Sequence, residues 1–257
     1  MQMDTHDTSK NRNSRRVQLP LAAGAPLAEA IFTNRLNQFV IEAEFEGSTI
    51  QAYMSDRGRL IGLLTPGARL LLAQAPTGRT REFQAVAVYN NEELVSLDTH
   101  LPNRLIVAAL EARALPQFAR YPEMQPEVRY GAHRFDFRLR GEAMHCWLEV
   151  KSVGQIIDGL ASFPDAPTER GRQHIEALTT LAQQGQRTAV IFIVQRNSGR
   201  AVVPNAEIDP RFARAMQQAM THGVEFYAYR CPLTSEGIML GSEIPVYTSA
   251  AAVPEHV

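Results

Sequence analysis

Arg134-Phe135-Asp136-Phe137-Arg138-Leu139-Arg140, then Gly141-Glu142-Ala143-Met144, then His145-Cys146-Trp147-Leu148-Glu149-Val150-Lys151-Ser152 read as strand, turn and strand. In the first arm Phe135, Phe137 and Leu139 are expected on one face, with Arg134, Asp136, Arg138 and Arg140 on the other. The second arm sets Trp147, Glu149 and Lys151 against Leu148 and Val150. A four-residue loop over 141–144 places Arg140 opposite His145, and so carries Asp136 to Glu149. Facing side chains on one sheet face have Cβ atoms roughly 5 Å apart. Two carboxylates that close repel unless positive charge lies between them. Lys151 shares their face, and two carboxylates with a lysine suit a Mg²⁺ site beside a phosphodiester. Mixed charge on an exposed strand face is the plainer reading, and the spacing alone does not choose between them.

The chain has 257 residues, room for one large domain or two smaller ones. A hydrophobic content of 45%, a charged content of 21% and a net charge of −1 place it among ordinary globular proteins without a global basic field. Nucleic acid would have to be met by a local patch. Lys10 and Lys151 are the only lysines, so arginine carries nearly all the positive charge. Arginine forks phosphate well, although a GC-rich genome explains the bias more simply. Cys146 and Cys231 have no metal-ligand spacing and no disulfide framework. With no signal peptide and no apolar run near 18 residues, the expectation is a cytoplasmic protein that does not enter a membrane.

Outward from the hairpin, residues 1–34 are expected to be a disordered or irregular basic leader, and 17–33 show no periodicity. Residues 35–99 read as five short strands and a helical turn at 59–64, which fits a small OB-like barrel. The loop Ser55-Asp56-Arg57-Gly58-Arg59 offers Arg57 and Arg59 to phosphates, or merely to solvent. Residues 100–246 read as α-β-β-α-β-α-β, a mixed sheet with flanking helices. Its first helix is expected over 104–114, its second after Asp165-Ala166-Pro167-Thr168, its third after Asp209-Pro210. Arg170 and Arg172 lie in the opening turn of the second helix, where free N–H groups attract phosphate. The β-branched run Thr188–Val194 predicts a strand covered on both faces, which argues against a helix-turn-helix over 179–196. Residues 247–257 form a tail.

Several stretches resemble the sugar fermentation stimulation protein family, SfsA: LDTHLPNRL (97–105), HRFDF (133–137), LEVKSV (148–153), FPDAPTERGRQH (163–174), FIVQR (192–196) and EIDPRF (207–212). The resemblance spans roughly residues 35 to 246 and implies a two-domain α/β protein. Its parts would be an N-terminal OB-like barrel and a C-terminal domain similar to PD-(D/E)XK nucleases of the restriction-endonuclease type. It implies DNA as partner and Mg²⁺ as cofactor. Asp136 and Glu149 would hold the metal, with Asp136, Glu149 and Lys151 as the catalytic set. Glu111 is a weak match to the early-helix acid of such nucleases. Arg57, Arg59, Arg170 and Arg172 are the candidate DNA contacts.

The function that follows is a DNA-binding protein with a Mg²⁺-dependent deoxyribonuclease site. The rival is a non-catalytic DNA-binding regulator of sugar metabolism genes, on a vestigial nuclease fold whose carboxylates are structural. A metabolite sensor is suggested by the family's name alone.

Overall fold

The computed structural model describes residues 17–254 apart from 61, 76, 79 and 143. The polar leader over 1–16 and the last three residues lie outside the described residues. The first half is a barrel: β1 (Leu27–Asn37), β2 (Val40–Phe45), β3 (Ser48–Tyr53), β4 (Arg69–Gln74) and β5 (Phe83–Asn90), with β6 (Glu93–Ser96) hairpinned onto β5. The order is β3-β2-β1-β4-β5-β6, and a parallel pairing of β3 with β5 closes it. This is the OB-type barrel that the strand spacing predicted. Tight turns are legible in it: Glu46 and Gly47 both take positive φ between β2 and β3, as Asn91 and Glu92 do between β5 and β6.

Two features of this half differ from the sequence reading. β1 begins at Leu27, inside the stretch that shows no periodicity, where the apolar Ile31 lies on the exposed side; register shifts at Phe32/Asn34 and Arg35/Asn37 follow. The segment expected to make a helical turn before Pro66 is a turn-rich loop with positive φ at Leu60 and Gly62, which a helix does not allow.

The second half is built on α1 (Leu101–Glu111), β7 (Glu123–Tyr130), β8 (His133–Arg140), β9 (His145–Val153), β10 (Leu160–Phe163), α2 (Glu169–Gln183), β11 (Arg187–Val194), β12 (Ala201–Pro204), α3 (Pro210–Thr221), β13 (Glu225–Arg230) and β14 (Glu243–Ile244). Its six-stranded sheet has the order β14-β13-β11-β9-β8-β7. β9, β11 and β13 run parallel at its centre, and hairpins flank them. Thr188 to Val194 are all buried. Ala189, Ile191 and Ile193 face α1, while Val190, Phe192 and Val194 face α2 and α3. That two-sided burial is why the run carries no alternation. α1 starts three residues before the expected Arg104, with Pro102 in its first turn where a missing N–H costs nothing. Pro126 sits in β7 at the sheet edge, the position that tolerates it. Among the described residues, no helix is long and apolar enough to cross a membrane. Both cysteines are buried and free.

The halves share a core. Leu71, Val86 and Leu94 of the barrel pack in one cluster with Leu101, Leu105 and Ile106 of α1 and with Leu148 and Ile191 of the sheet. A polar joint lies beside it. The carboxylate of Glu93 accepts from Arg196 Nε at 2.7 Å and from the backbone N–H groups of Asn197 and Ser198. Gln195 Oε1 accepts from the Ser96 N–H at 2.7 Å. Arg196 is only 7% exposed, so removing that carboxylate would leave a buried charge unbalanced. Glu93→Ala is therefore expected to lower unfolding free energy by about 2–3 kcal/mol in denaturant titration. A change below about 0.5 kcal/mol, the range of an ordinary surface substitution, would show that the joint does not carry stability.

Candidate metal and phosphodiester site

The site forms where the β8–β9 hairpin stops being a regular ladder. Gly141 N–H donates to the Met144 carbonyl at 2.9 Å, closing the loop at the expected place. Pairing follows from Arg140/His145 to Phe137/Leu148 in the expected register. The next step, Asp136 against Glu149, is not a backbone pair. The Asp136 carboxylate instead accepts the Val150 N–H at 2.8 Å. On the other flank the β7 ladder also skips Asp136, and Glu127 opposite it takes φ 54°.

This break has a consequence for the arm's faces. Phe135 was expected beside Phe137 and Leu139, yet it packs with Trp147 and His174 on the α2 side, while Phe137 and Leu139 pack on the α1 side. Strict alternation cannot cross a position where the ladder opens.

Two carboxylates and an ammonium meet at the break. Asp136 Oδ1 accepts from Asn103 Nδ2, in the first turn of α1, at 2.8 Å. Glu149 is 3% exposed, and its Oε1 accepts from both Lys151 Nζ and His174 Nδ1, the latter at 2.6 Å. Glu149 Oε2 is buried with no hydrogen-bond partner. A buried anionic oxygen without a donor is costly unless something positive meets it. It is the atom that suits a divalent cation, and Asp136 beside it keeps unused lone pairs on each oxygen. Among the described residues no group of three or more His, Cys, Asp or Glu side chains forms a cage. A site of two carboxylates fits Mg²⁺, which keeps waters and takes substrate oxygens, better than it fits a fully protein-ligated ion.

The carboxylates are electrostatically unequal. Burial and the neighbouring Glu149 charge push Asp136 up to about 6. Burial opposes ionisation of Glu149 too, but Lys151 and His174 outweigh it and hold Glu149 below its ordinary value.

Of the other sequence candidates, Glu111 is exposed at the last residue of α1, eight residues past Asn103 and so about 12 Å along the axis. An amide, not an acid, is what α1 presents to Asp136. Arg57 and Arg59 are exposed on the barrel loop, with Arg57 over the Phe39 ring at 5.3 Å. Arg170 is exposed, but Arg172 is engaged by Glu169 and Glu176 on its own helix. The N-terminus of α2 is capped by its own threonine and tied to α3. Thr168 caps it by accepting from Gly171 N–H, and Asp209 accepts from Thr168 N–H while capping α3. Pro167 precedes that cap rather than standing in the first turn.

Asn103 and His174 are the residues that the sequence reading missed. His174 had a signal: it lies with Gly171, Ile175 and Leu178 on the buried stripe of α2, a polar residue among apolar ones. Asn103 had none, because an exposed-looking amide after Pro102 reads as a cap.

Asp136 sets a stability test. Its folded pKa lies above the ordinary carboxyl value, so its contribution is present at low pH and lost as pH rises through about 6. Without metal at pH 7.5, Asp136→Asn is expected to raise the unfolding free energy by about 1–3 kcal/mol, seen as a higher melting temperature. The gap should close near pH 4 and reverse when Ca²⁺ is added. A variant no more stable than wild type at pH 7.5 would mean Asp136 is not held ionised at a cost.

Comparisons with known proteins agree with the architecture. Residues 100–237 match the family model described as the sugar fermentation stimulation protein RE domain, and residues 34–97 match the SfsA N-terminal OB domain. A sugar fermentation stimulation protein homolog from Chloroflexus aurantiacus is 56% identical over 239 residues, covering 93% of this chain and 92% of its own. One from Moorella thermoacetica is 41% identical, covering 90% and 99%. The solved structure of Pyrococcus furiosus SfsA in complex with Ca²⁺ superposes with a TM-score of 0.82 at 26% identity, covering 90% of this chain and 99% of that one.

Proposed function

This chain belongs to the sugar fermentation stimulation protein family, with an OB domain followed by a restriction-endonuclease-like domain, and from that premise we propose that it binds DNA and cleaves it in a Mg²⁺-dependent reaction at Asp136, Glu149 and Lys151. The observation that carries this reading is the orphaned Glu149 Oε2, buried beside Asp136 with Lys151 at hand. The Ca²⁺ in the Pyrococcus furiosus relative supports a divalent ion as the missing partner.

Asp136 and Glu149 would hold the ion. When bound, it supplies Lewis-acid polarisation of the scissile phosphate and offsets charge on the leaving oxygen. Each protein group has a separate task. Asn103 fixes the Asp136 carboxylate through Oδ1, and Val150 N–H fixes it through Oδ2. His174 donates into Glu149 Oε1 and stops the carboxylate turning, as outer-layer partners of metal ligands do. Lys151, paired with Glu149, stands where it can orient the attacking water and neutralise charge that develops on the phosphate. Arg57, Arg59 and Arg170, all exposed, would meet the phosphate backbone. Arg172 contributes less, because two glutamates already share its guanidinium.

The test is a gel assay of labelled single- and double-stranded DNA with Mg²⁺, Mn²⁺ or EDTA. Wild type should yield metal-dependent fragments, Glu149→Ala none, and His174→Ala roughly 10–100-fold fewer, with circular dichroism confirming that each variant folds. A retarded but uncut band in every lane would favour the non-catalytic binder. Fragments undiminished in Glu149→Ala would remove the site from the reaction.

A further inference from the structure

A cavity of about 570 Å³ lies between the barrel and the carboxyl ends of the parallel strands β9 and β11. Its size falls within the ~300–1,000 Å³ of small-molecule sites, and crevices at the carboxyl ends of parallel strands are where α/β sheets take ligands. Ser152 lines it and directly follows Lys151 along β9, so neighbouring residues of one strand serve the cavity and the site. Val153, two residues past Lys151 and on the same face of the strand, lines it as well, so the cavity adjoins the site.

The chemistry of its wall is divided. Val95, Val153 and Phe163 are apolar, whereas Asn90, Gln155 and Asp56 bring acceptors and donors. Two carboxylates line it, Asp56 and the exposed Asp165 whose charge Asp56 feels, and they repel a phosphate. Arg196 also lines the cavity, but Glu93 neutralises it. Among the described residues, positive charge without a carboxylate partner lies outside: Arg57 and Arg59 flank the lining residue Gly58, and Arg170 follows Asp165 by five residues, all three exposed. Phosphates are thus favoured on the rim. The interior favours a flat, uncharged group that offers N–H donors.

We propose that this cavity receives one unpaired nucleobase of the bound strand, its phosphates held outside by Arg57, Arg59 and Arg170, so that the preferred substrate is single-stranded or locally unpaired DNA. Asp56 would accept from an exocyclic amino group, favouring adenine or cytosine over thymine, and the Phe163 side would cover the base face. Bases read in this way are taken out of their stack, which costs least when they are already unpaired. The inference rests on the DNA-binding reading above and names the substrate form for it.

Fluorescence anisotropy with labelled 20-mers in Ca²⁺ tests it, using wild type, Ile208→Trp and Asp56→Asn. Ile208 lines the cavity yet is 39% exposed, so a larger side chain there fills the opening without forcing the core apart. Asp56→Asn keeps an acceptor for the Gly58 N–H that Asp56 now holds. Wild type should bind single strands at least about tenfold more tightly than duplex, a difference of about 1.4 kcal/mol. It should also prefer oligo-dA or oligo-dC to oligo-dT. Ile208→Trp should erase the single-strand preference while leaving duplex affinity unchanged, and Asp56→Asn should erase the base preference. Equal affinity for single strands and duplex, or a preference that survives Ile208→Trp, overturns the cavity's role even if duplex binding and cleavage persist. No binding of either form overturns this inference together with the DNA-binding reading.

Discussion

Everything at the centre of this protein turns on the burial of one ionised carboxylate. Glu149 is held out of water on a central strand, yet it stays below its ordinary pKa because Lys151 and His174 both donate to a single oxygen. Burying a charge is tolerated only when it is paired and hydrogen-bonded. The arrangement satisfies half of the carboxylate and leaves the other oxygen bare. Asp136 is itself half-buried and also feels that charge, and the two together raise its pKa. A fold optimised for stability alone would have put an amide at one of the two positions.

The scaffold around this pair is arranged to keep it in place. α1 brings Asn103 to Asp136, α2 brings His174 to Glu149, and each helix packs on its own face of the sheet. The barrel is not hung on a free linker. Leu71, Val86 and Leu94 enter the same apolar cluster as α1, and Glu93 clasps Arg196 at the end of β11. The opening between barrel and sheet is therefore a defined cavity rather than a gap that rotation of two loose domains would erase.

Much of this was legible in the residues. The Arg134–Ser152 hairpin gave loop, register and the Asp136–Glu149–Lys151 set, because period-two alternation and a short turn constrain one another. Thr188–Val194 announced a central strand by lacking alternation. What the residues hid were departures from regularity. Leu27–Asn37 carries an exposed Ile31 and two register shifts. Phe135 changed face where the ladder opens at Asp136. At the start of α2, only the fold shows that Asp209, forty-one residues away, takes the Thr168 N–H while capping α3. Such contacts between distant segments leave no local trace.

The claim that Asp136 and Glu149 share one divalent cation is tested most directly by titration calorimetry of Mg²⁺ and Ca²⁺ from pH 5 to pH 8. Asp136 must lose its proton to ligate, so affinity should be level above its pKa of about 6 and fall roughly tenfold per pH unit beneath it, with a proton released on binding. Affinity that stays flat across that range, or binding that survives Asp136→Asn undiminished, would contradict it.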